Sequence, residues 1–80
     1  MENAIELERK CEKKNMARFY RLEIERDLFG IVIARRTWGR IGSVGRTIAA
    51  PCLSLEDAER ELRLWETRKR RRGYHDRAPA

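Results

Sequence analysis

Eighty residues suffice for one domain with a small core and leave no room for a second. A hydrophobic share of 41% excludes a disordered chain, and 40% charged residues leave an ionic surface. With 19 Lys and Arg against 13 Asp and Glu, the net charge of +6 suits a polyanionic partner, with a merely solvated basic surface as the equal alternative on charge alone.

The positive charge is unevenly placed. Residues 17–50 hold seven bases against three acids, and residues 68–80 hold six against one. Residues 51–67 reverse the balance, with five acids and two bases. No apolar stretch is long enough to span a bilayer. The first residues lack a basic segment followed by an apolar run, so no signal peptide is expected. Cys11 and Cys52 have neither CxxC spacing nor a nearby histidine pair, which fits no zinc site or disulfide scaffold. A reduced, cytoplasmic setting is the simplest expectation.

In chain order, Ile5 and Leu7 alternate with Glu6 and Glu8, the pattern of a half-exposed strand over Ala4–Cys11. A helix there would have almost no apolar face. After the polar turn Glu12–Asn15, Ala17–Arg26 reads as a second strand. Tyr20, Leu22 and Ile24 share one of its faces; Phe19, Arg21, Glu23 and Glu25 share the other. Asp27 to Gly30 is a short connection. The β-branched run from Ile31 predicts a central strand reaching Thr37. Thr47–Ala50 forms a last short strand, stopped by Pro51, and short connections imply an antiparallel meander.

Ser54 then stands as an N-cap with Asp57 three residues on. Leu55, Ala58, Leu62, Trp65 and Lys69 follow at helical spacing as one stripe, with Leu64 off it. The basic run Arg68–Arg72 complements the negative end of the helix dipole, and Gly73 is a natural C′ residue. The predicted fold is therefore α+β. A small antiparallel sheet of about four strands carries one long C-terminal helix, Leu55–Arg72, on one face. Tyr20, Leu22, Ile24, Leu62 and Trp65 are the expected core. Residues 1–77 are expected to form the domain and 78–80 a loose tail.

The chain's chemistry concentrates between Thr37 and Arg46. Gly39, Gly42 and Gly45 permit a tight, irregular connection. It presents one large aromatic, Trp38, and two guanidinium groups, Arg40 and Arg46. That set suits a base or sugar flanked by phosphates. Arg36 has the parity to share Trp38's face, whereas Arg35 points to the other. The glycine spacing matches neither the dinucleotide-binding fingerprint nor a P-loop, so the loop is read as a turn whose amides face a phosphate. The residues of the basic run Arg68–Arg72, Lys69 and Arg70 foremost, extend the same surface by nonspecific phosphate contact. Their plain alternative is dipole complementation. Glu56, Asp57, Glu59, Glu61 and Glu66 argue against an interfacial membrane helix. A single histidine, His75, with no triad or acidic cluster gives no basis for an enzyme, a metal site or a cofactor.

Trp38-Gly39-Arg40-Ile41-Gly42-Ser43, with Ala17-Arg18-Phe19-Tyr20-Arg21-Leu22-Glu23-Ile24 upstream and Lys69-Arg70-Arg71-Arg72-Gly73-Tyr74 downstream, resembles the WGR domain. That small β-rich module occurs in poly(ADP-ribose) polymerases and as stand-alone bacterial proteins. In the polymerases it helps hold a DNA break, with its tryptophan against the terminal nucleotide and its arginine near the strand backbone. The resemblance implies those roles for an exposed Trp38 and for Arg40, with DNA or RNA as partner. The polymerase's catalytic domain has no counterpart among these residues, so its activity is not implied. The alternative is a protein–protein interaction module in which Trp38 enters a partner's pocket.

Overall fold

The computed structural model describes residues 4–77. The apolar–polar alternations become strands β1 (Ile5–Cys11), β2 (Met16–Arg26), β3 (Val32–Arg40) and β4 (Arg46–Cys52). The helix α1 (Leu55–Arg71) follows, and a two-residue strand, β5 (His75–Asp76), ends the described chain. The strands lie in the order β4-β3-β2-β1-β5, antiparallel throughout. The α+β prediction holds.

Register decides what the helix covers. Tyr20 stands opposite Leu7 on one side and Trp38 on the other; Leu22 stands opposite Ile5 and Arg36. Opposed residues share a face, so one face gathers Leu7, Tyr20, Leu22, Val32 and Ala34 beneath Ala58 and Leu62 of α1. Leu7, Tyr20 and Leu22 are fully buried. The helix begins as predicted: Ser54 Oγ accepts from the Asp57 amide at 3.1 Å. It ends at Gly73, whose φ of +100° is a left-handed C′ conformation.

Three expectations change. The sheet has five strands rather than about four, because β5 pairs with Leu7 and Glu8 of β1. Two residues carry no alternation to detect. Tyr74, which links α1 to β5, is buried and meets Tyr20 edge-on at 6.2 Å. Ile24 and Trp65 are half-buried and pack against the core rather than within it. Trp65 keeps its indole N–H satisfied by Glu61 at 3.0 Å. Leu64, off the apolar stripe, is exposed. The predicted tail at 78–80 lies outside the described residues, as do residues 1–3.

The face away from the helix is ionic and paired. Arg35 bonds Glu25, Arg21 lies 3.4 Å from Glu23, and Glu8 meets Lys10 and Arg77.

Candidate nucleic-acid interface

Strand β3 runs through Arg40, so Trp38-Gly39-Arg40 is the end of a central strand and the turn proper begins at Ile41. Strand parity sends Arg36, Trp38 and Arg40 to the helix side, and Arg46 of β4 stands directly opposite Trp38. Trp38 is therefore half-buried, not exposed as expected. Its ring stacks on Tyr20 with centroids 6.2 Å apart and planes inclined by 29°. The physical cause is the register that places it over a fully buried neighbour.

Arg36 fills the space between two indoles. Its guanidinium carbon lies 3.9 Å from the centroid of Trp65 and 5.7 Å from that of Trp38. Its Nη1 donates to the Tyr20 hydroxyl at 3.3 Å. Cation–π contact and a hydrogen bond thus hold an always-charged fork in one place. From the helix, Lys69 lays its ammonium 4.6 Å from the Tyr20 ring and 5.6 Å from Tyr74. Arg68 lies 5.0 Å from Trp65.

These groups perturb one another. Burial holds the Lys69 ammonium below its ordinary pKa, and repulsion from Arg72, Arg36 and Arg18 pushes the same way. Burial raises the Tyr20 pKa, opposed by the hydrogen bond and charge of Arg36. The site is thus locally positive before any ligand arrives.

The glycines serve the backbone. A side chain at Gly39 would place Cβ 2.8 Å from Gly45 Cα, and one at Gly45 would collide with the Trp38 carbonyl. Gly45 also has a φ of +78°. Phe19, opposite Gly39, covers the pair from the other face of the sheet. Within the turn, the Ile41 amide donates to Ala17 O at 2.9 Å and the Ser43 amide to Arg40 O at 3.0 Å. These two amides are engaged by the protein itself. Arg40 is exposed and donates to Asn15 O at 3.3 Å, tying it to the β1–β2 turn.

Trp38, Arg36, Arg46 and Lys69 are thus brought together on one face, with Arg40 one row further along it. Arg70 is not. Its Nε donates to Glu66 at 2.9 Å and its Nη2 to Asp76 at 2.7 Å, bracing α1 against β5. Those bonds raise its pKa, that to Asp76 most. Of the basic run Arg68–Arg72, Arg68, Lys69, Arg71 and Arg72 line a groove with Trp65. Arg68 and Lys69 fall three and four residues after Trp65, and Arg72 three after Lys69, so helical spacing groups them.

The WGR domain family matches residues 4–80. The chain belongs to the WGR domain family. WGR domains are in general nucleic-acid-binding modules. A similar protein, the uncharacterized y4dW of Sinorhizobium fredii, is 41% identical over 71 residues, covering 89% of this chain. The chain spans only 35% of that relative's length. No solved structure matches. Among the described residues, no group of three His, Cys, Asp or Glu side chains is placed to hold a metal. No described helix is long and apolar enough to cross a membrane.

Proposed function

We propose that this WGR domain binds DNA at ends or breaks through the face carrying Arg36, Trp38, Arg40, Arg46 and Lys69. One observation carries the reading. Among the described residues these five include four cations with no carboxylate at ion-pair distance, gathered around an aromatic, while Arg21 and Arg35 on the opposite face are paired. A phosphodiester supplies the missing anion. Trp38 offers the terminal base or sugar an apolar contact, Arg36 is already fixed beside it, and Arg40 and Arg46 reach the flanking phosphates. Arg70, engaged by Glu66 and Asp76, serves the scaffold in this reading.

The test is a titration of blunt-ended, nicked and closed-circular DNA across a salt series. With about four phosphates neutralised, log affinity falls against log salt with a slope of about −3.6. Arg40→Ala lowers that slope by about one, and Arg40→Lys restores part of the loss, since an ammonium cannot reproduce a planar fork. Linear DNA should bind more tightly than closed circles. An affinity flat across the salt series would refute the reading and favour a protein partner.

A further inference from the structure

One row of the helix-side face is built from like charges. Arg18 of β2 stands directly opposite Arg9 of β1 on one side and Arg40 of β3 on the other. Opposed residues share a face about 5 Å apart, so three arginines follow one another along a row whose backbone positions span about 10 Å. Like charges directly opposite destabilise a sheet. The other face of this sheet avoids the problem: Glu6 stands opposite Arg21, and Glu23 opposite Arg35. The Arg9–Arg18–Arg40 row has no carboxylate at ion-pair distance among the described residues.

The helix end adds to the imbalance. Gly73 sits against Arg9, close enough that a Cβ there would lie 3.3 Å from Arg9 Nε. That contact brings Arg72 and the basic last turn to the same edge. Arg18 also acts on the Lys69 ammonium, which places the row within electrostatic reach of the Trp38 surroundings. Part of this charge answers the negative end of the helix dipole, which acts only over the last turn. Arg18 and Arg40, on β2 and β3, need another anion.

We propose that the row is a phosphate track: a DNA strand held at Trp38 continues across β3, β2 and β1 over Arg40, Arg18 and Arg9. This rests on the DNA-binding reading and adds to it the path of the strand and two residues, Arg9 and Arg18. The strand runs across the sheet, perpendicular to its strands. Each DNA strand rises about 3.4 Å along the duplex axis per phosphate, and its phosphates lie farther apart than that along the backbone, so the row serves about two or three of them. Three arginines suit that work, because each planar fork takes a phosphate in two bonds. A ligand with a single anionic group would use one of them and leave the others in mutual repulsion.

The experiment uses the full chain carrying Arg18→Gln, and separately Arg9→Gln with Arg18→Gln. Labelled duplexes of increasing length and identical ends are titrated over a salt series. The track predicts that the double variant loses about two units of salt slope on long duplexes, and the single variant about one. Affinity for the shortest duplexes should change least, and any preference for ends, set at Trp38, should persist. Without DNA, the melting temperature of Arg18→Gln should equal or exceed that of the parent, because repulsion is relieved. An unchanged slope in both variants overturns the track. If Trp38→Leu still weakens binding in that case, the Trp38 site stands without it. A parent protein that binds none of the duplexes overturns both readings.

Discussion

Replacing Trp38 by leucine separates stacking from packing. Trp38 is half-buried over Tyr20, so an alanine there would open a gap and confuse loss of fold with loss of site. Leucine keeps apolar contact with Tyr20 and removes only the indole. The aromatic pair lost is worth about 0.5–1.5 kcal/mol, and the contact with Arg36 at 5.7 Å about 0.5–1 kcal/mol. A domain of this size is stable by about 4–12 kcal/mol, so it remains folded. Its melting temperature should fall by about 5–15 °C. Binding should suffer separately: a base or sugar stacked on tryptophan is worth about 1–3 kcal/mol, which is about 5- to 150-fold in Kd. Thermal melting by circular dichroism and anisotropy of an end-labelled duplex read the two effects on one sample. The discrimination between linear and closed-circular DNA should shrink with the affinity. A variant that melts lower yet binds linear DNA as tightly as the parent would show Trp38 to be scaffold alone, and the site assignment would fall.

Leu62→Ala should cost about 2–5 kcal/mol, since Leu62 is buried against the sheet, and urea denaturation should show a large part of the domain's stability gone. Gly45→Ala combines a left-handed backbone with a collision against the Trp38 carbonyl and should cost well over 1 kcal/mol; a melting curve matching the parent's would contradict the geometry. Lys69 titrates below the ordinary 10.5 in the folded protein, so its charge opposes folding while an unfolded lysine is protonated, and that cost disappears as pH rises toward 10.5. A neighbouring phosphate favours the ammonium, so DNA affinity should fall with rising pH as Lys69 loses its proton ahead of an ordinary lysine, and Lys69→Arg should flatten that fall.

The helix was readable because its determinants are local. Ser54, the Leu55–Lys69 spacing and Gly73 each act within a turn or two, and all appear where the pattern puts them. The pairing of Arg36 with Trp38 was readable for the same reason, since parity along one strand needs no knowledge of the partner. What stands opposite is another matter. The burial of Trp38 depends on Tyr20, eighteen positions earlier in the chain, on which its ring stacks. Trp65 reads as core from its stripe, yet its neighbours on the sheet include Arg36, a charged residue that no helical periodicity reveals. The Arg9–Arg18–Arg40 row needs two registers at once. Arg70 lies within a basic run, and only the fold-back of β5 brings Asp76 to it.

The close approach of Gly39 and Gly45 has a consequence for how this loop can change. The two backbones meet at the base of the turn, with Phe19 beneath them, so the loop's shape is set where it leaves and re-enters the sheet. Val44, next to Gly45, takes no part in that contact and stands 92% exposed. A substitution at Val44 alters what the domain presents to a ligand without altering how the domain folds. Under the proposed function, ligand preference can therefore drift at the rim of the site while Trp38 and Arg36 stay where they are.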